Sequence, residues 1–503
     1  MPVYSATSSG WLSPRGRLLS AVGLGVLTHV IDPDLVDEAV GDGLAWEMRL
    51  RSLPSRLGMY FVLGLCLFSS EPYAEVLREL TAGLRTVLKA AGWAVPATTA
   101  LTGVRRRVGE KPLESLFRRL RGPLSPGRAP WSHICGLLAV AWDGTTADVA
   151  ASAENIAAFG RPAAGSSPQV RMVTLAACGT RALNDAAVGQ LRGKGTGERE
   201  LARALMGSLH AGMLLLADRG FYSYQLWIQA AQTGAALLWR VRASMHLPVV
   251  TGLPDGSWLT HINDPAAVTA RARRNGMRRR RGGRLPPQAG PLPGITVRVI
   301  EFTITVTTQD GSIRTGQYRL ITTLLDWQAY PAAALAAGYG WRWAIETGYR
   351  DLKVCLRGPG RVLRSQTPEL ARQELWAYLV IYQAIRLLIA RTAAGAGLDP
   401  DQISFTATVR AARRTITTAR SSMNDALAET EAEILASLIP LRQGRVCPRA
   451  VKQPVSPYPS RNTRDDPITQ HATYAITLTT PATSTRTTTH QPTHPANQPP
   501  RPP

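Results

Sequence analysis

Two short apolar runs in this sequence each end in a carboxylate. In Ala139-Val140-Ala141-Trp142-Asp143-Gly144-Thr145 a strand-like run leads into Asp143, and the glycine behind it lets the backbone turn sharply or approach a ligand closely. In Leu214-Leu215-Leu216-Ala217-Asp218-Arg219-Gly220 a second buried-type strand leads into Asp218, with a helix after it. Taken alone the first is more often an ordinary turn, and Asp218 has a structural partner at hand in Arg219. Together they suggest more, because ligands in α/β sheets bind outside the carboxyl ends of the strands, where two carboxylates side by side form a charged site.

A third element is more specific. In Tyr339-x2-Arg342-x3-Glu346-x6-Lys353 the steps of three, four and seven place four polar side chains along one helix face. Trp341, Ile345, Leu352 and Leu356 fall on a neighbouring stripe, so the helix packs its apolar side on a sheet and offers the polar side to a cleft. The plainer alternative is an amphipathic helix with an Arg342–Glu346 surface ion pair, worth little by itself.

These residues need a scaffold, and the pattern around them supplies one. From about residue 133, short apolar runs (134–142, 170–177, 213–217, 235–241) alternate with helical stretches near 198–209 and 224–231, the succession of an α/β domain. Residues 242–325 interrupt it with alternating runs such as 296–307 and 318–324, a β-rich insertion. Within it Arg271, Arg273, Arg274, Arg278, Arg279, Arg280, Arg281 and Arg284 crowd a short stretch expected to be a flexible basic loop that contacts phosphates. Long helices are expected over 332–356 and 368–394.

Residues 1 to about 125 read as an all-helical unit. Its last part, 96–121, carries Arg105, Arg106 and Arg107 and has the outline of a helix-turn-helix DNA reader, with a solvated helix face as the alternative. The last stretch, 479–503, is too rich in Pro and Thr to offset its ordering entropy and is expected to be disordered.

Composition points the same way. Lys and Arg outnumber Asp and Glu by 58 to 35 over 503 residues, a formal charge of +23 that attracts polyanions, nucleic acid before an acidic membrane. The longest apolar run, 59–68, falls short of the ~20 residues of a membrane span, so no membrane segment and a cytoplasmic location are expected. Cys66, Cys135, Cys178, Cys355 and Cys447 are odd in number and scattered, which suits neither zinc nor a disulfide framework.

At the level of whole motifs the sequence resembles the DDE transposases of bacterial insertion sequences, specifically the insertion-element-4-type group. The Tyr339, Arg342, Glu346, Lys353 spacing matches that group's signature at every position. The flanking words Trp142-Asp143-Gly144-Thr145, Ala217-Asp218-Arg219-Gly220-Phe221-Tyr222 and Arg342-Trp343-Ala344-Ile345-Glu346 agree with it. Similarity extends to Leu113–Leu120, to Arg364-Ser365-Gln366-Thr367-Pro368 and to residues 451–459, leaving out only the final tail.

The resemblance implies an α/β, ribonuclease H-like catalytic core with a β-rich insertion and an N-terminal all-helical domain. The expected divisions are a helical DNA-binding part (1–125), the first catalytic segment (126–241), the insertion (242–325), the catalytic helix and remaining core (326–395), a helical extension (396–450) and a largely disordered tail (451–503). It implies that Asp143, Asp218 and Glu346 hold two Mg²⁺ ions, with Mn²⁺ able to substitute, since clustered carboxylates repel unless cations neutralise them. Two such ions would activate a water or a DNA 3′-hydroxyl and stabilise the leaving oxygen, so cleavage and strand transfer use one site. Tyr339, Arg342 and Lys353 are then expected on DNA phosphates near the cut, with further contacts from Arg105–Arg107 and Arg278–Arg281. The implied partners are double-stranded DNA, as terminal inverted repeats and as target, and a second copy of the chain on that DNA. A non-catalytic DNA-binding relative and a structure-specific nuclease of the same fold are the competing readings; the intact acids argue against the first, the helix motif against the second.

Overall fold

Leu214, Leu215 and Leu216 are all fully buried because the strand that carries them is covered on both faces. The structure, a computed structural model, describes residues 18–19, 21–42, 53–125, 129–193, 195–280, 290–417, 423–440, 445–446 and 470–479. Arg281, Arg284, Cys447 and residues 480–503 lie outside the described residues.

The strands are β1 (His133–Ile134), β2 (Leu137–Asp148), β3 (Gln169–Ala177), β4 (Leu183–Gln190), β5 (Met213–Ala217), β6 (Ala236–Arg240), β7 (Thr251–Gly252), β8 (Trp258–Asn263), β9 (Gly294–Thr308), β10 (Ile313–Thr322), β11 (Arg445–Val446) and β12 (Gln470–Leu478). They form one sheet in the order β11-β12-β9-β10-β6-β5-β2-β3-β4, with β1 on β2 and β8 joining β7 to β9. At its centre β2 runs parallel to β5 and β5 to β6, while β3 and β4 pair antiparallel on the other side of β2. The insertion is therefore no separate module. Its strands β9 and β10 extend the same sheet, β10 pairing antiparallel with β6.

Helices cover both faces. The N-terminal ones are α1 (Pro33–Asp42), α2 (Ser55–Leu67), α3 (Tyr73–Leu80), α4 (Arg85–Ala90), α5 (Thr98–Val108) and α6 (Lys111–Leu120). Then come α7 (Ala153–Phe159), α8 (Glu198–Ala204), α9 (Tyr224–Gln232), α10 (Pro265–Arg280), α11 (Ala332–Tyr339), α12 (Ala344–Arg350), α13 (Pro368–Ala396), α14 (Phe405–Thr417) and α15 (Met423–Leu435). Strand alternation splits the core in two: Ala139, Ala141, Leu214, Leu216 and Leu238 pack with α13 and the N-terminal helices, whereas Val140, Trp142, Leu215, Ala217 and Trp239 pack with α8 and α9. Trp239 and Trp258 are both core residues.

α13 joins the N-terminal helices to the sheet. It starts cleanly, Thr367 accepting a bond from the Leu370 amide with Pro368 in the first turn, and ends on left-handed Gly397. It is the one described helix long and apolar enough to cross a bilayer, but it runs through the core. Two of its glutamines bridge layers. Gln373 Nε2 donates to the carbonyls of Arg105 (2.8 Å) and Gly109 (2.7 Å), and Gln383 Oε1 accepts from the Leu183 amide of β4 (2.8 Å) while its Nε2 donates to Leu120 O (3.2 Å). The described residues up to 125 thus share one core with the catalytic sheet rather than standing apart.

Several expectations are corrected here. Arg105 is 1% exposed: its Nε donates to Gln373 Oε1 (3.1 Å), Nη2 to Ser365 Oγ (2.8 Å) and Leu370 O (3.2 Å), and Nη1 to the Tyr73 hydroxyl, which removes it from any DNA surface. Arg107 donates to Leu53 O (2.7 Å), leaving Arg106 as the exposed member of the trio. On α6, Arg118 pairs with Glu114 and Asp185, and Arg119 with Glu38 and Asp42, so α5 and α6 have the outline of a helix pair whose arginines are largely engaged within the fold. The basic stretch of the insertion is not a loop over its described part: it is the helix α10, with no buried residue. The tail contributes β12, paired along β9 from Ala472–Thr308 to Leu478–Phe302.

Replacing Arg105 by Ala leaves buried acceptors on Gln373 and Leu370 without their donor, and is expected to destabilise the chain by about 3 kcal/mol. Arg106→Ala, on the exposed side of the same helix, should change stability by less than ~0.5 kcal/mol. Denaturant unfolding of the two variants beside the parent checks the pair.

Candidate active site

The register of the central strands decides where the acids stand. The parallel β2–β5 ladder ends at Ala141–Leu216, and two residues further along each strand are Asp143 and Asp218. The β5–β6 ladder ends at Ala217–Trp239, and one residue further are Asp218 and Arg240. All three share the strand parity of Ala141, Leu216 and Leu238, so they project from the face on which residues 332–356 pack. Asp218 follows the end of its strand, as expected. Asp143 does not, because β2 continues through Gly144 to Asp148; Gly144 makes no turn.

The third acid arrives on a helical path that is less regular than its spacing suggests. α11 tightens into a 3₁₀ turn at Gly340–Trp343, resumes as α12, and widens into a π-helical segment at Asp351–Leu356. Asp255 fixes its start, accepting from the Ala332 amide (2.8 Å) and from Arg298, which in turn donates to Tyr330 O (2.7 Å). Three side chains then pin it to the strands beside the acids. Tyr339 donates its hydroxyl to Ala217 O (3.2 Å), Tyr349 donates to Asp143 O (2.6 Å), and Lys353 Nζ bonds Thr145 Oγ1. Asp351, buried against Arg386 of α13, holds the far end.

Between these anchors lies Arg342, 5% exposed. Its Nη2 is 3.7 Å from Glu346 Oε1, one turn on. Burial opposes its charge, but the Tyr339 hydroxyl and the carboxylates of Asp143, Asp218 and Glu346 outweigh burial and hold its pKa above the ordinary value. Asp143 answers it: burial pushes its carboxyl up, Arg342 pulls it down, Glu346 pushes it up again and the Gly144 amide (3.0 Å) pulls it down, leaving it at about 6. Asp218 Oδ1 is buried without a hydrogen-bond partner, with Arg240 Nη1 3.9 Å away. Glu346 is the most open of the three, its side chain 40% exposed.

The structure thus gathers Asp143, Asp218, Glu346, Arg342 and Lys353 at one end of the parallel strands. It does not close the acids into a cage: among the described residues no three His, Cys, Asp or Glu side chains stand together at ligating separation. The donor set nevertheless suits a hard cation, with oxygen donors only, one of them orphaned and another burdened by burial. Tyr339 differs from expectation, being 3% exposed with its hydroxyl committed to Ala217; it positions the helix instead of meeting phosphate. Sequence reasoning missed Tyr349, Thr145 and Arg240. Tyr349 lies three residues after Glu346 and four before Lys353, a spacing that could have flagged it.

Comparisons with known proteins identify the family. Residues 21–118 match the family described as Insertion element 4 transposase N-terminal, and residues 140–383 the Transposase DDE domain. The chain is 26% identical over 447 residues to Transposase InsG for insertion sequence element IS4 of Escherichia coli (strain K12), covering 86% of this chain and 93% of that protein. The cryo-EM structure of piggyBac transposase in a synaptic complex with hairpin DNA superposes over 81% of this chain and 84% of that one at 10% identity, with a TM-score of 0.39, too loose to argue from. The matched regions make the chain a DDE transposase, an enzyme class that cleaves DNA strands and transfers them with the help of divalent metal ions. Within that class the chain belongs to the insertion-element-4 family, whose N-terminal and catalytic regions it carries in order.

Because the folded pKa of Asp143 lies above its unfolded value of 3.8, the folded state holds the extra proton between pH ~4 and ~6, and stability falls as pH rises through that window. Asp143→Asn should therefore raise the unfolding free energy of the cation-free chain at pH 7.5 by on the order of 2–3 kcal/mol, with little gain at pH 4. Urea unfolding in EDTA at the two pH values checks this.

Proposed function

We propose that this transposase cuts DNA at the ends of its element and joins them to a target with one ribonuclease H-like active site, in which Asp143, Asp218 and Glu346 hold two Mg²⁺ ions. The observation that carries the reading is the convergence of carboxylates from β2, the end of β5 and the helix after β10 around Arg342, with anchors at Ala217, Asp143 and Thr145 fixing the helix in register. The order β4-β3-β2-β5-β6, two antiparallel pairings followed by two parallel ones with helices on both faces, supports the fold assignment. When bound, the ions supply a metal-activated water or 3′-hydroxyl and stabilise the departing oxygen.

The chain's own residues do the rest. Arg342, buried among the acids, balances their charge where the strands meet the helix, Lys353 offers a point charge to the phosphates beside the cut, and neither competes for the cation while protonated. Tyr339 and Tyr349 keep Glu346 from drifting away from the strands. On α10, Arg278, Arg279 and Arg280 are exposed and stand on a helix that buries nothing, which suits a phosphate grip; Arg106 is the remaining candidate contact on the N-terminal helices. Since two element ends meet in one event, a homodimer on DNA is the assembly proposed, acting in the cytoplasm where that DNA lies.

Glu346→Gln should abolish cleavage and joining of a DNA fragment carrying the ends that flank the gene, in Mg²⁺ or Mn²⁺, while leaving DNA affinity within a few-fold of the parent. Products are read on a gel and affinity by mobility shift; cleavage retained by the variant would overturn the assignment. Replacing Arg278, Arg279 and Arg280 together by Ser should leave cutting chemistry intact at saturating DNA, but lower the slope of log affinity against log salt by up to ~3, at ~0.9 per lost phosphate contact. An unchanged slope would exclude α10 from the DNA interface.

A further inference from the structure

A fourth carboxylate stands at the same strand, on a helix the resemblance does not implicate. Glu198 opens α8, and its side chain lies along Gly144: a Cβ added there would come within 2.6 Å of the Glu198 carboxyl carbon and 2.9 Å of its Cγ. Gly144 has no positive φ, so the backbone does not demand glycine; the room for Glu198 does. The approach is built from both sides. Arg171 of β3 donates to Thr196 O (3.0 Å) just before the helix, and Arg199 Nε donates to Gly220 O (2.9 Å) in the turn that follows Asp218. The first turn of α8 is thereby tied to β3, the strand paired with that of Asp143, and to the loop that follows Asp218.

The helix N-terminus favours an acid at Glu198, but that does not account for its approach to Gly144. Its neighbour Glu200 pairs with Arg203, whereas Glu198 makes no ion pair or hydrogen bond among the described residues, and its charge is felt at Asp143 and Tyr349. It comes from the α8 face of the sheet, opposite the Asp143 side chain. The parallel ladder has ended at Ala141, however, so β2 at Gly144 has no β5 partner on its flank to wall the two faces apart. An exposed glutamate against a side-chain-free position has the room to turn its oxygens round that edge. Together with the orphaned Asp218 Oδ1, this gives the cleft a cradle and an unsatisfied acceptor on one flank.

We propose that Glu198 is a further carboxylate of the metal centre, reaching a divalent cation past Gly144 from the face opposite Glu346. The proposal rests on the reading of Asp143, Asp218 and Glu346 as cation ligands. It assigns Gly144 a role as well, that of leaving the passage open.

The test is Mn²⁺ binding to the full chain by calorimetric titration at pH 7.5, with Glu198→Gln, Gly144→Ala, the double variant and Asp143→Asn. Glu198→Gln should weaken Mn²⁺ by ~10-fold or more, the range seen for residues that support a metal site. Gly144→Ala, which displaces the carboxylate without straining the backbone, should do the same, and the double variant should be no weaker than either single one. Parental Mn²⁺ affinity in Glu198→Gln, with binding lost in Asp143→Asn, overturns the role of Glu198 and leaves the three-acid site standing. Binding unaffected by either change overturns both.

Discussion

Carboxylates on neighbouring strands and a facing helix repel each other, and burial makes the repulsion worse; what allows this protein to keep them together is the buried guanidinium of Arg342. Its positive charge counters Asp143, Asp218 and Glu346 at once, and their combined field keeps it charged in spite of burial. Burial, more than its neighbours, still holds Asp143 near 6, well above an exposed aspartate. A carboxylate so poorly solvated gains from a cation bound beside it, which replaces the solvation that burial removes. Arg342 thus sets the tolerable density of acids, and burial the demand they leave for metal.

Such a balance works only if the helix bearing Arg342 and Glu346 cannot slide. A shift of one residue would turn both side chains by about 100°. The fold prevents it with bonds at the two ends and in the middle: Asp255 and Arg298 at Ala332, Tyr339 and Tyr349 on the carbonyls next to Asp218 and at Asp143, and the buried Asp351–Arg386 pair. Asp255 and Arg298 belong to the insertion, and Arg386 to α13, whose glutamines also hold the N-terminal helices. The insertion and the N-terminal region therefore act on the site through the stiffness they lend to one helix.

The acids themselves were legible in the sequence, because a carboxylate after an apolar run and a four-residue helical spacing are local signals. Their common level was not: β2 and β5 are separated by α7, β3, β4 and α8, and nothing in either strand says that Asp143 will stand beside Asp218. The arginine trio shows a local signal misread. Arg105 lies four residues after Leu101 and three before Val108, on the buried stripe of α5, so helical phase placed it inside although composition placed it on the surface. The tail shows the reverse. Ala472, Tyr474, Ile476 and Leu478 alternate with period two and pack partly buried on the core, a strand signature masked by the surrounding Pro and Thr. The anchoring roles of Tyr339 and Tyr349 were not legible for a simpler reason: a tyrosine that bonds a strand carbonyl cannot be told by sequence from one that faces solvent.

The sheet also fixes how far apart gripping and cutting take place. Arg240, level with the acids, pairs with Leu320 of β10, and Leu320 with Ile300 of β9. α10 is rooted where β8 and β9 meet at Asn263–Gly294, six residues along β9 from that level. At ~3.3 Å per residue this is about 20 Å of sheet, the rise of roughly six base pairs. Because β9 and β10 continue the catalytic sheet, the root of α10 is set by strand hydrogen bonds rather than by a linker. In the proposed function α10 carries its arginines outward from that root to the duplex, so its charges would govern how firmly the end is held while Arg342 and the acids govern what is done to it. Beside the acids such a concentration of guanidinium would compete with the metal, which is a physical reason for it to stand apart.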